Sequence, residues 1–474
     1  MTDDRLTIAA ILSWTQGVWL GKTETLQLPC AAISTDSRTV QPGEVFVALA
    51  GERFNGHTFV EQVLKRGAAA AVVSRKWLEK NAHVKTLGNL LVVNDTLAAY
   101  QNAAAAYRQL FLIPAVAVTG SAGKTTTKEA IYAVLSQRFN VLRNKKSFNN
   151  HIGVPATLFE LDKNHQILLT ELGTNHFGEL DRLSYLVHPD MAMITNIGHA
   201  HLAFFKDLQG VVRAKFEIFN HCAADGLALY NGDDALLRVQ NYPLPRTFSF
   251  ALRQAAALKA EVIACNERAE YTIRLLGETI QLPISGHHNV YNALAAAAIG
   301  VQFDITAAEI KTALQSLQPV EKRMQVVRAG DILMLNDTYN ANPNSCGAAL
   351  HTLADLSVTA NGRKIAVLGD MLELGDVSVS EHRHLAESVA EHKLDLLLLY
   401  GRETQATLER ADELHLEVLH FSDKEALLAH LTAYIRPGDV VLFKGSRGMQ
   451  METLVDGLSR FLEENPDPDK PKPL

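Results

Sequence analysis

The stretch from Ala115 to Leu135 constrains the fold more than any other. Ala115-Val116-Ala117-Val118 is apolar and β-rich. Thr119-Gly120-Ser121-Ala122-Gly123-Lys124-Thr125 follows, and Ile131, Val134 and Leu135 then recur at helical spacing. Strand, glycine loop, lysine-threonine, helix is the order of a phosphate-binding loop. Glycine lets the backbone pass close to an anion without a Cβ clash. The N–H groups of the loop and of the helix start then point at the phosphate. Lys124 brings positive charge to the outer phosphates, and the Thr125 hydroxyl can hold Mg²⁺. Gly120 and Gly123 are three apart, so the loop is two residues shorter than the usual form.

A chain of 474 residues is too long for one core and predicts several domains. A net charge of −7 leaves no basic footprint for nucleic acid. The acidic start Met1-Thr2-Asp3-Asp4 lacks a signal peptide's charged and apolar regions. No uncharged apolar stretch reaches 18 residues, so no membrane span is expected. Cys30, Cys222, Cys265 and Cys346 are scattered, which fits a reducing cytoplasm better than disulfides or a zinc cluster.

The pattern predicts an α/β protein of three domains. Residues 1–85 read as a small α/β unit with strands at Ile33–Ser34, Glu44–Leu49 and Ala69–Val73. Residues 86–315 alternate strands with helices, which predicts a central, mostly parallel sheet of the phosphate-loop type. Short alternating stretches between 242 and 285 read as antiparallel strands attached to it. Residues 316–462 hold the buried runs Ile365–Gly369, Leu396–Tyr400 and Val440–Phe443, which predict a Rossmann-like parallel sheet. Residues 463–474 are proline- and charge-rich and read as a disordered tail. Ligands of open α/β sheets bind beyond the carboxyl ends of the strands. Lys124, Glu171 and His199 each follow such an end, so they are expected in one site.

With the shortened loop stand four further stretches: Ser34-Thr35-Asp36-Ser37-Arg38, Asn336 to Pro343, Val367 to Gly375, and Lys444 to Met449. Together they resemble the Mur ligase family, the ATP-dependent amino-acid or peptide ligases of peptidoglycan assembly, over nearly the whole chain. Within it they are similar to the branch that joins D-alanyl-D-alanine to UDP-N-acetylmuramoyl-tripeptide. The branch that adds diaminopimelate or lysine carries an Asp-Asn-Pro-Arg motif that this sequence lacks. Two other readings stand beside these: a folylpolyglutamate synthase-like ligase on a related scaffold, and a nucleotide-driven switch.

The resemblance implies a role for each matched residue. ATP would lie on Gly120, Ser121, Ala122, Gly123, Lys124, Thr125 and Thr126, with Asn289 and Asn292 near adenine. Arg323 and Asp337 would reach ATP from the third domain, Asp337 toward the ribose. Mg²⁺ would be held by Thr125 and Glu171, and a second ion by His199. Lys215 matches a family lysine that several members carry as a carbamate, an anionic oxygen donor suited to Mg²⁺. The UDP end would meet Ser34, Thr35, Asp36, Ser37 and Arg38 with Asn55, Gly56 and His57. Asn149, Asn150, Tyr339, Asn340 and Asn342 would face the peptide substrates. The implied catalytic set is Lys124, Glu171, His199 and Lys215, in a monomer that needs no nucleic acid or membrane.

Overall fold

The computed structural model describes residues 5–51, 54–145, 147–358 and 361–465. Three separate sheets organise the chain. The first has five strands in the order Val18–Leu20, Leu90–Val93, Ala70–Ser74, Val45–Val47, Ile33–Ser34, parallel except for the first. The boundary expected at residue 85 therefore falls too early. Leu90-Leu91-Val92-Val93 is fully apolar and finds its partners in Ala71 to Ser74, not in the central sheet.

The second sheet has nine strands. Ala115–Thr119 lies between Ile167–Glu171 and Met191–Ile194, and both pairings are parallel. All five residues of Ala115–Thr119 are buried, as expected of a strand covered on both faces. The helices Lys124–Leu135 and His287–Gln302 cover one face. Ala293 and Ala295 to Ala298 let them approach closely, and a Cβ on Gly300 would stand 2.6 Å from Val134. The 242–285 region differs from its antiparallel reading. Arg246–Ala251 pairs in parallel with Leu227–Asn231 and with Leu258–Cys265; only the two pairings beyond that, through Glu270–Leu275 to Glu278–Ser285, are antiparallel.

The third sheet runs Gln325–Ala329, Ile332–Asp337, Val440–Lys444, Lys364–Gly369, Leu396–Tyr400, Val418–Phe421, parallel after the first pair. Its last helix is Glu452–Glu464, so residues 463 and 464 are helical where a tail was expected. The amphipathic run Leu454, Val455, Leu458, Leu462 buries that helix against the sheet. Residues 466–474 of the expected tail lie outside the described residues.

Candidate active site

The carboxyl ends of the second and third sheets face one cavity of about 560 Å³. Its floor is the glycine loop between Ala115–Thr119 and Lys124–Leu135. Gly123 is the helix N-cap at φ 78°, and Gly120 has φ 150°. A Cβ on Gly120 would lie 2.0 Å from Thr195 Oγ1, and one on Gly123 2.7 Å from Asn292 Oδ1. Neither site has room for a side chain, so the glycines are required by packing as well as by φ. The loop is braced by the next strand end: Ala122 N–H donates to Asn196 Oδ1 at 2.9 Å, and Gly198 N–H to Ser121 Oγ at 2.9 Å. Lys124 Nζ donates to Gly120 O at 2.8 Å. Burial lowers the Lys124 pKa, Glu171 opposes that shift, and Arg323 adds to it.

Glu171 ends its strand 1% exposed. Asn149 Nδ2 donates to its Oε1 at 2.7 Å, while its Oε2 is buried with no hydrogen-bond partner. A buried carboxylate oxygen without a donor is costly, and a cation would satisfy it. Asn150 lines the same wall and caps the chain turn through Ile152 and Gly153 N–H.

The expected histidine is corrected. His199 does not line the cavity; its Nδ1 faces Glu381 Oε1 at 2.9 Å, across the seam to the third-sheet domain. His201, two residues on, lines the cavity instead. The reason is the backbone: His201 adopts φ 55°, which turns the chain ahead of the helix Leu202–Phe205. A left-handed conformation is uncommon in a non-glycine residue, and histidine is among the residue types that adopt it more readily.

Asn289 and Asn292 stand on the first turns of the helix His287–Gln302, and both line the cavity. Asn292 Nδ2 donates to Asn289 Oδ1 at 2.8 Å, and Asn292 Oδ1 accepts from Thr127 Oγ1 at 3.0 Å. His288 beside them is a lining residue the sequence reading missed. Burial pushes its pKa down to about 4, and its Nδ1 has no partner. Thr126 also lines the cavity, whereas Thr125 and Gly120 sit beneath the lining.

The third-sheet domain closes the cavity from above. Arg323 Nη2 donates to Thr125 Oγ1 at 3.0 Å and lies over the Tyr339 ring at 4.0 Å. Tyr339 OH donates to Ser147 Oγ at 2.6 Å. Asp337 accepts from Lys444 Nζ at 2.5 Å and from Met324 N–H at 3.1 Å. Asn340 and Asn342 line the same face, and Asn342 caps the helix Pro343–Asp355. Lys444, only 2% exposed, is a second lining residue the site reading missed. Its signal was the strand end Val440–Phe443. Its register partner is Asp337, a relation between distant parts of the chain.

Residues 118–300 match the Mur ligase middle domain, 322–447 the Mur ligase glutamate ligase domain, and 30–140 the Mur ligase family catalytic domain. The UDP-N-acetylmuramoyl-tripeptide–D-alanyl-D-alanine ligase of Escherichia coli (strain K12) is 35% identical over 469 residues, covering 97% of this chain and 99% of that protein. The corresponding ligase of Bacillus subtilis (strain 168) is 36% identical over 430 residues, covering 90% and 92%. The chain belongs to the Mur ligase family. A crystal structure of MurF from Acinetobacter baumannii superposes with a TM-score of 0.87 at 34% identity, covering 96% of this chain and 99% of that one. MurF of Thermotoga maritima in complex with ADP gives 0.81 at 27% identity, covering 91% and 98%.

In this Mur ligase the donor set fits a divalent cation. Glu171, with its unpartnered Oε2, and His201 both line the cavity and are hard or borderline donors, and the Thr125 hydroxyl lies beneath the lining. Lys215 lies on the helix Leu208–Phe216, 1% exposed, and no hydrogen bond or ion pair engages its Nζ among the described residues. Burial pushes its pKa well below the ordinary lysine value. Lys124 adds to the shift, and Glu217 and Glu179 oppose it. Burial therefore disfavours the ammonium relative to the neutral amine at this position.

The first-sheet residues lie away from this cavity. Arg38 is clamped to its own turn: Nε donates to Asp36 Oδ1 at 2.9 Å and Nη2 to Oδ2 at 2.6 Å. That bidentate bond, with the Arg38 N–H, holds Asp36 down at a pKa of about 2. Ser34 Oγ accepts from Asp36 N–H, Ser37 is buried, and Thr35 is half-buried between them. His57 is a structural histidine. Its Nε2 accepts from Ser74 N–H at 3.0 Å, so its Nδ1–H donates to Asn55 Oδ1, leaving no ring nitrogen for a ligand. Gly56 packs on Leu49, whose carbonyl would stand 2.8 Å from an added Cβ.

Proposed function

We infer that this Mur ligase joins D-alanyl-D-alanine to UDP-N-acetylmuramoyl-tripeptide with ATP. The products are UDP-N-acetylmuramoyl-pentapeptide, ADP and phosphate, in peptidoglycan precursor synthesis. One observation carries the reading: the match to ligases of that name spans all three domains, and the phosphate loop of one sheet and Arg323, Asp337, Tyr339 and Lys444 of another line or close the same cavity.

The chemistry follows from the parts. Carboxylate and amine do not condense spontaneously in water. The tripeptide carboxylate attacks the γ-phosphorus of ATP, a C–O–P bond forms, and ADP leaves. The dipeptide amine then attacks the carbonyl carbon, phosphate departs, and the amine loses a proton. Two anions must meet in the first step. Lys124 and Arg323 place positive charge at the outer phosphates, and the loop N–H groups hold them without later reorganisation. Thr125, Glu171, His201 and a carbamylated Lys215 would hold Mg²⁺, which supplies further charge neutralisation on the phosphate oxygens. Asn289 and Asn292 suit the donor and acceptor edge of adenine, and Asp337 the ribose hydroxyls. Asn149, Asn150, Asn340 and Asn342 offer neutral amides along the peptide path. The turn Ser34–Arg38 with Asn55 takes the UDP end.

We place the domain limits near residues 94 and 318, after the last strand of the first sheet and before the first of the third. We propose that the enzyme acts in the cytoplasm as a monomer. Among the described residues no helix is long and apolar enough to cross a membrane. The test is coupled ADP release. It should require tripeptide substrate and dipeptide together; steady release with ATP alone would contradict the ligase reading.

A further inference from the structure

The segment Gly369 to Gly375 supplies no side chain to the cavity wall. It is nonetheless fitted tightly to the central domain. Ala203 N–H donates to Glu373 O at 3.2 Å, and a Cβ on Gly375 would stand 2.9 Å from Ala203 Cα. Both sides of this contact hold a non-glycine residue in the left-handed region, His201 at φ 55° and Glu373 at φ 65°. Strain of that kind persists only where the surroundings over-determine it. Between these two residues runs one side-chain bond, His201 Nδ1 to Glu373 Oε2 at 2.6 Å. The His201 ring, packed edge-on against Phe205, is also held from below.

We propose that Glu373 is a positioning residue for His201: a carboxylate from the third-sheet domain fixes the ring and tautomer of a histidine in the central domain's cavity. The inference rests on the reading of His201 as a site residue. A carboxylate can only accept, so Nδ1 carries the ring proton and Nε2 keeps its lone pair. Because the two residues stand on different domains, the histidine is set in this way only when the domains are closed. Carboxylates that hold a metal-ligating histidine by its second nitrogen tune its orientation and basicity. Here that partner arrives with closure, so an open enzyme would hold its metal more weakly than a closed one. The neighbouring pair supplies a built-in comparison. His199 and Glu381 also meet across the seam, at 2.9 Å, but His199 does not line the cavity.

The test uses the full chain with Glu373→Gln, Glu373→Asp, Glu381→Gln and His201→Ala. Glutamine matches the shape of glutamate but can donate as well as accept, so it removes the tautomer bias alone. Ring ¹⁵N spectra of histidine-labelled protein above pH 8, assigned with His201→Ala, should show the Nδ1–H tautomer in the parent. Glu373→Gln should show a mixture, and Glu373→Asp a partial return. The Mg²⁺ concentration for half-maximal turnover should rise about 10- to 100-fold in Glu373→Gln. The KM for the UDP substrate should stay within about twofold of the parent. Glu381→Gln should change neither tautomer nor Mg²⁺ requirement. The proposal is overturned if Glu373→Gln keeps the parent tautomer and Mg²⁺ requirement, or if Glu381→Gln reproduces both changes. Normal turnover in His201→Ala would instead overturn the reading of His201 itself.

Discussion

Lys215 shows how far one residue's surroundings decide its chemistry. In sequence it is an ordinary helix lysine, and only the resemblance singled it out. In the structure it is buried, unpartnered and beside Lys124, with its pKa well below the usual value. Two results follow. Between that lowered pKa and the unfolded value of about 10.4, the unfolded chain binds a proton that the folded chain does not. Stability should therefore rise with pH through this window, and chemical denaturation should show the slope flattened in Lys215→Met. The neutral amine can also take up CO₂. Lys215→Ala should lose most turnover and regain part of it with added acetate, and ¹³C-bicarbonate should give the parent a carbamate resonance that the variant lacks. Histidine choice was less legible. His199 and His201 follow the same strand end, and nothing in residue type separates them; the left-handed turn at His201 does.

At the scale of elements the phosphate loop was the most legible part, because its residues are fixed by local backbone demands. The two glycines at its ends are not equivalent to glycines elsewhere. Gly120→Ala meets Thr195 Oγ1, whereas Gly178, at φ 82°, has nothing within 4 Å of an added Cβ. Gly178→Ala should cost only backbone strain, about 1–2 kcal/mol. Gly120→Ala should cost that plus a displaced strand end, and it should abolish ATP binding. Urea midpoints and calorimetric titration with ATP check both. The elements misread from sequence were those whose partners are remote. Leu90–Val93 is apolar enough for either sheet, and Ala71 to Ser74 decide it. Arg246–Ala251 alternates like a hairpin strand, yet the strand beside it, Leu227–Asn231, makes it parallel. The pair Asp337 and Lys444, 107 residues apart, exists only through strand register.

The whole molecule is seen with its second and third domains closed on the cavity. Polar bonds cross that seam at several points, among them Arg323 to Thr125, Tyr339 to Ser147, Tyr271 to Asp355, His199 and His201 to Glu381 and Glu373, and the N–H groups of His199 and Ala203 to Asn344 and Glu373. Opening exchanges each of these bonds for water at about 1 kcal/mol net, and substrates this large need the domains to open. Small-angle scattering should give the free protein a larger radius of gyration than the closed structure. ATP analogue with tripeptide substrate should shrink it; an unchanged radius would contradict a hinged cycle. Three α/β domains were legible in the sequence because each has its own strand and helix rhythm, but their closure depends on single side chains meeting across a seam. The central claim is a specific bond between two named substrates, and mass spectrometry of the product tests it most directly. With ATP, Mg²⁺, D-alanyl-D-alanine and UDP-N-acetylmuramoyl-tripeptide, the enzyme should yield UDP-N-acetylmuramoyl-pentapeptide, with one ADP and one phosphate per peptide bond. ADP release without pentapeptide, or addition of a single amino acid in place of the dipeptide, would contradict the account.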